Sequence, residues 1–251
     1  MNQKKSLKKR LYGLKALLRD FWFFGWHRQL WYLMRFWNAK PQGKFVLIYC
    51  QGRTGSTFLS SALNQYKTCL YEEEVMRRRL WHYKSFLTGL SFRKPDVWYV
   101  VKVKPMHLRN HGIPSRDFLH WIHQHQCVLI HLRREDFFEH GLSKIIAAKR
   151  GEYFKKLSAD KLKIDKEYLL EKIAELKEFA QEEKAILGAY GPIEVVYEKD
   201  IKPVEAQEAT LMKLCKALSI KESYVAPPVF KVLSTNLEDE VLNWDEIKAL
   251  K

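Results

Sequence analysis

Residues 44–59, Lys-Phe-Val-Leu-Ile-Tyr-Cys-Gln-Gly-Arg-Thr-Gly-Ser-Thr-Phe-Leu, restrict this chain to a small set of folds. Phe45 to Cys50 is an unbroken apolar run of strand length, rich in β-formers, as expected of a central parallel strand covered on both faces. Gly52 and Gly55 permit a tight turn and let backbone approach a ligand closely. A helix then opens with Ser56 and Thr57, and its unpaired N–H groups beside Arg53 form an anion site suited to phosphate or sulfate. No Gly-Lys-Ser/Thr stands at the spacing of a Walker A loop. That argues against nucleotide hydrolysis and for another phosphate-bearing donor.

The rest of the chain alternates in the same manner. A helix is expected over about residues 56–66, and the polar stretch holding Glu72-Glu73-Glu74 and Arg77-Arg78-Arg79 reads as helix and loop. Val97 to Val103 is a second strand ended by Pro105, Ser115 to Gln124 a short helix, and Cys127 to Leu132 a third strand followed by a helix through Ser143 to Lys149. Ile164 to Leu187 is a long amphipathic helix with many Glu/Lys pairs at i,i+4. Gly191-Pro192 breaks it before a fourth strand, Ile193 to Tyr197, and a helix from about Pro203 to Leu218. Strands alternating with helices predict an α/β fold, a P-loop-like parallel sheet flanked by helices.

Charge is unevenly placed. Of the net +15 over 251 residues, residues 1–40 hold ten Lys and Arg against Asp20 alone, leaving about +6 to the rest. Leu7, Leu11, Leu14, Leu18 and Phe21 recur at helical spacing, and the run from Phe21 to Trp37 is rich in Trp and Phe interleaved with Arg28 and Arg35. Two domains are expected: 1–40, a basic, aromatic-rich amphipathic segment, and 41–251, the α/β domain. A basic face joined to aromatic surface suits a membrane interface, or a helix pair packed on the core. Nucleic acid is not expected as a partner, because no recognised nucleic-acid module is present. No stretch approaches the length of an uninterrupted spanning helix, and Cys50, Cys69, Cys127 and Cys215 show neither disulfide nor metal-ligand spacing. His107, His111, His120, His123, His125 and His131 fit no zinc pattern, so no metal is expected. These features point to a cytoplasmic protein, peripheral on the inner face of the membrane if residues 1–40 engage it.

A second segment carries chemistry. In His131-Leu132-Arg133-Arg134-Glu135-Asp136 to Ser143, two arginines leave a strand end and a serine follows in the next helix. Guanidinium and hydroxyl donors in that order suit a second phosphate. In a wound parallel sheet both strand ends open on one edge. Two anion sites on one edge suit a nucleotide phosphorylated at both ends of its ribose.

On these residues the chain resembles the sulfotransferases that use 3′-phosphoadenosine 5′-phosphosulfate (PAPS), and most of all the bacterial carbohydrate branch that includes the Nod-factor and trehalose sulfotransferases. Arg53-Thr54-Gly55-Ser56-Thr57 is similar to that family's 5′-phosphosulfate loop, and Arg133, Arg134 and Ser143 to its 3′-phosphate segment. Lesser echoes are Lys102-Val103, Tyr197-Glu198 and Asn243-Trp244-Asp245-Glu246. The resemblance covers about residues 44–247 and implies the sulfotransferase fold, PAPS as donor, no metal, and a carbohydrate or glycolipid hydroxyl as acceptor. It also implies roles: Arg53 at the leaving oxygen, the loop holding the 5′-phosphate, Lys102 on the transferring sulfonate, and a Glu after the first helix as base. Glu74 aligns best, with Glu73 as fallback and His107 or His111 as lesser options. Adjacent carboxylates are expected to raise one another's pKa toward a useful value. Two other classes fit parts of the pattern: a P-loop nucleotide kinase, opposed by the missing Walker lysine, and a non-enzymatic basic adaptor for membrane or nucleic acid.

Overall fold

A computed structural model of the chain describes residues 26–72, 74–77, 80–150, 161–221 and 237–251. Along it run α1 (Trp26–Phe36), β1 (Lys44–Cys50), α2 (Ser56–Leu63), β2 (Cys69–Glu72), α3 (Tyr83–Ser91), β3 (Trp98–Val103) and α4 (Pro105–Asn110). There follow α5 (Ser115–His123), β4 (Cys127–Arg133), α6 (Phe137–Arg150), α7 (Lys166–Leu187), β5 (Ile193–Val196), α8 (Val204–Ala217) and α9 (Trp244–Lys248). The chain divides into two units: residues 44–78 with 96–251, and residues 1–43 with 79–95. The expected helix over residues 7–21 lies outside the described residues.

The larger unit is α/β. Its five strands are all parallel, in the order β2-β3-β1-β4-β5, an arrangement compatible with a P-loop-like fold. Central β1 pairs with β3 from Lys44↔Trp98 to Tyr49↔Val103, and with β4 from Phe45↔Cys127 to Cys50↔Leu132. The alternation of a strand sends Val46, Ile48 and Cys50 to one face, where they pack with Leu59 and Leu63 of α2 and Leu211 and Leu214 of α8. Phe45, Leu47 and Tyr49 are buried on the opposite face. Removing each such side chain from water is worth about 1.5–3 kcal/mol, which is why a six-residue apolar run fixes the centre of the sheet. Asp165 caps the long α7, its Oδ1 accepting the Tyr168 N–H at 2.9 Å. A second cluster joins Phe138, Leu142 and Ile145 of α6 to Leu169 of α7 and Ile247 of α9.

β2 adds a strand where helix and loop were expected after α2, while Val75–Arg77 forms a short 3-10 turn within that stretch. The four residues of β2 form an edge strand paired only with β3, through Cys69↔Trp98 to Glu72↔Val101. A strand that short shows no alternation, and the charges after it mask its end.

In the smaller unit α1 packs on α3. The Tyr32 ring lies so close to Gly89 that a Cβ there would stand 2.6 Å away. Tyr32 meets Phe86 edge-on at 5.6 Å, and Phe36 packs on Phe92 at 4.7 Å. Ser85 Oγ donates to the Phe36 carbonyl, and His82 caps α3 by accepting the Ser85 N–H.

Candidate functional site

Parallel pairing brings the C-terminal ends of β1, β3, β4 and β5 to one edge of the sheet. After β1 the chain turns through Arg53, at φ 68°, and Gly55, at φ 84° and ψ 10°. Gly55 is required twice: by the left-handed conformation, and because a Cβ would come within 2.8 Å of the Tyr197 ring. Gly52 is not in the left-handed region and a Cβ there would meet open space, so of the two glycines expected to permit the turn only Gly55 is required by it. Among the described residues no side chain caps α2, so the N–H groups of its first turn stay open to an anion.

The loop is braced from beneath. Buried Thr54 donates its hydroxyl to the Gln51 carbonyl at 2.9 Å, which makes it a structural member of the turn. His140 Nε2 donates to the Gly52 carbonyl at 2.8 Å, fixing the tautomer, since a carbonyl only accepts. Burial, joined by the charges of Arg134, Lys144 and Arg53, pulls the His140 pKa down to about 3 against the pull of that bond, so the ring is neutral. Ser56 is buried at the helix start, and Thr57 is half-buried beside it.

The two sequence motifs meet here. Arg53 Nε donates to Ser143 Oγ at 3.1 Å, across 90 residues of chain. The two arginines of the second motif part company. Arg134 is buried, its Nε donating to Glu198 Oε1 at 2.8 Å and its Nη2 to Glu139 Oε2 at 3.2 Å, and its guanidinium lies 4.5 Å over the Tyr197 ring. Tyr197 thus sits between Arg134 and Gly55. Arg133, partly exposed, bonds Glu194 Oε2 at 2.8 Å and lies 3.3 Å from Glu135.

Beside the loop, on β3 and the turn after it, lies a second cluster. Lys102 and Lys104 place their ammonium groups 3.0 Å and 2.8 Å from Glu74 Oε1, and His107 Nε2 lies 3.7 Å from Oε2. Burial works to raise the Glu74 pKa, but the bond from Lys104 and the charges of Lys102 and Lys104 overcome it and hold it at about 2. The shift is downward and not the expected rise, because the two ammonium groups outweigh burial. Lys102 is buried, which works against its charge, yet Tyr71 and Glu74 leave its pKa raised. His107, chiefly through burial and then Lys104, falls to about 4, and its buried Nδ1 makes no hydrogen bond. His111 Nε2 donates to the Met76 carbonyl at 2.9 Å. Glu73 lies outside the described residues. At the end of β1, burial pushes the Cys50 thiol pKa up against the opposing charge of Lys102.

Several residues escaped the sequence reading. Lys104 follows Lys102 by two positions, the strand period, and His140 precedes Ser143 by three, the helix period; both are legible once the elements are known. Lys144 is half-buried, burial pulls its pKa down, and among the described residues it forms no ion pair. Glu183 had no sequence signal. It is buried on α7, with Oε2 3.4 Å from both Gln51 Nε2 and His131 Nε2, while its Oε1 and Gln51 Oε1 make no hydrogen bond. Gln51 and Glu183 line a small pocket of about 10 Å³, room for about one water, together with Thr54, Arg133, Arg134, Phe137, His140 and Ala180. Among the described residues no cluster of three His, Cys, Asp or Glu is arranged to hold a metal ion. The chain matches no protein-family model and no curated protein sequence.

Proposed function

We propose that this protein is a sulfotransferase that moves a sulfuryl group from PAPS to a hydroxyl of a carbohydrate or glycolipid. The observation that carries the reading is the Arg53–Ser143 hydrogen bond at 3.1 Å, which unites the loop after β1 with the segment after β4 beside an uncapped helix N-terminus. In the reaction the bond from sulfur to the phosphate oxygen of the donor breaks, a bond from sulfur to the acceptor oxygen forms, and the acceptor's proton passes to a base.

The chain's own groups divide this work. The open N–H groups of α2 and the Arg53 guanidinium would hold the 5′-phosphate and stabilise charge on the departing oxygen. Arg53 keeps its proton at any working pH, so its contribution is electrostatic and not acid catalysis. Lys102 and Lys104 would turn from Glu74 to the sulfonate. That exchange would release the Glu74 carboxylate and raise its basicity from the depressed value it holds between two lysines, toward what a base requires. At the second phosphate, Ser143 and Lys144 are available donors, whereas Arg133 and Arg134 already hold carboxylates and would have to exchange them.

Titration calorimetry tests the donor. 3′,5′-ADP should bind far more tightly than 5′-AMP, and equal affinities would overturn the two-phosphate reading. Tighter binding of ATP than of 3′,5′-ADP would favour the nucleotide kinase. The acceptor is sought by incubating cell glycans and lipids with PAPS and following added sulfate by mass spectrometry.

A further inference from the structure

The 60 residues of the smaller unit hold 14 of the chain's 44 Lys and Arg, but only Asp20 among its 29 Asp and Glu. They carry +13 of the net +15 and leave +2 to the α/β unit. Its described stretches, 26–43 and 80–95, contain no acidic residue. They also expose large apolar side chains: Trp31 at 48%, Met34 at 73%, Trp37 at 56% and Trp81 at 51%. Trp31, Met34 and Arg35 follow i, i+3, i+4 spacing and share one face of α1, while Tyr32 and Phe36 are buried on another. The Arg35 guanidinium lies 5.4 Å over the Trp31 ring. Two contacts tie this surface to the second segment: Trp37 stacks on His82 at 4.5 Å, and the backbone N–H of Trp81 donates to Gln29 Oε1 at 3.1 Å. Lys40 on the first segment and Lys84, Arg93 and Lys94 on the second are exposed.

Exposed indole rings among cations, with no anion between them, match the headgroup layer of an anionic bilayer. The amphipathic rings settle at the level of the headgroups, and each ammonium or guanidinium is drawn by the negative surface potential. A nucleic acid would satisfy the cations and could stack on a ring, but it offers nothing to Met34, the most exposed of the four. We propose that α1 and residues 80–95 together form a composite lipid-docking surface that seats the protein on an anionic membrane. No helix among the described residues is long and apolar enough to cross a bilayer, so the contact is with the membrane surface. The inference rests on charge and exposure within the smaller unit alone and stands apart from the sulfuryl-transfer reading.

The full chain is sedimented with phosphatidylcholine vesicles made with and without phosphatidylglycerol. Binding is expected only with the anionic lipid, weakening as salt rises. Lys84→Gln, Arg93→Gln and Lys94→Gln combined should weaken it on the order of a hundredfold, at about fivefold per cation. These three exposed positions lie far in sequence from the basic N-terminus. Unchanged vesicle binding in that variant overturns the composite surface, and so does equal binding to both vesicle types. Retention on single-stranded RNA without vesicle binding also overturns it. A second measurement keeps the rings intact as apolar groups. Lipids brominated in the acyl chains should quench the tryptophan fluorescence of vesicle-bound protein, and Trp31→Phe with Trp37→Phe should lose much of that quenching. Quenching unaltered by both substitutions means the rings do not reach the bilayer and overturns the proposal. Neither readout involves catalysis, so this proposal and the enzymatic one fail separately.

Discussion

The two units hold cations on opposite terms. At the sheet edge of the α/β unit Lys102, Lys104, Arg133, Arg134 and Lys202 each face a carboxylate within 2.8–3.3 Å. The described part of the smaller unit contributes no carboxylate of its own. Paired cations are locked in position and contribute little field at a distance; an unbalanced excess acts as a field over a whole surface. Lys and Arg thus suit a geometric site in one unit and an attractive face in the other.

This contrast breaks if deleting a paired cation proves harmless. Arg134→Gln would leave Glu198 and Glu139 without their buried partner, and is expected to cost about 3 kcal/mol in denaturant unfolding. Lys84→Gln in the smaller unit should stay within about 0.5 kcal/mol. Equal losses for the two would abolish the distinction. Within the α/β unit, Gly55→Ala sets a left-handed φ and a 2.8 Å approach to Tyr197 against the new methyl group, for a loss of roughly 2–4 kcal/mol. Gly52→Ala, with open space around it, should be close to neutral.

Arg53→Ala should weaken 3′,5′-ADP by about 10- to 100-fold in calorimetry, with vesicle binding untouched. A double-mutant cycle with Ser143→Ala should then show coupling between the two motifs, and strict additivity would separate them.

A pH slope tests the buried groups of the α/β unit. His140 and His107, held at about 3 and about 4, are neutral when folded but protonate near 6.5 when unfolded. The unfolded state therefore binds more protons below that value, and stability should fall as pH drops from about 6.5 toward about 4. Glu74, lowered to about 2, contributes stability above its ordinary 4.5 that is lost between there and about 2, with the same sign. Thermal melts across this range should show the decline, and His140→Gln should flatten its upper part.

Much of the α/β architecture was legible beforehand. The strands at β1, β3, β4 and β5 and the long α7 are marked by apolar runs, Glu/Lys spacing and Pro or Gly boundaries, all of which act over a few residues. β2 was not legible, since an edge strand of four residues is defined by its neighbour β3 and not by its own pattern. At the site, the Arg53 loop and Ser143 could be singled out because each motif is contiguous. The adjacent Arg133 and Arg134 looked equivalent, but alternation across β4 and its end buries one and leaves the other partly exposed. Glu74 was found as an acid, but its depressed pKa depends on Lys102 and Lys104, which lie about thirty residues further on and reach it only through the β3 turn.

The sequence by itself determined the strand–turn–helix, the order of strands and helices apart from β2, and the excess of basic residues near the start of the chain. Those depend on residue type and local spacing. Only the tertiary structure decided that Arg53 meets Ser143, that Glu74 sits between two lysines, and that residues 79–95 join the basic first segment and raise its share to +13 of +15. The physical reason is common to all three. Hydrogen bonds and short-range charge pairing depend on distance in space, which is set by the parallel pairing of strands and the packing of α1 on α3, and no local pattern encodes either.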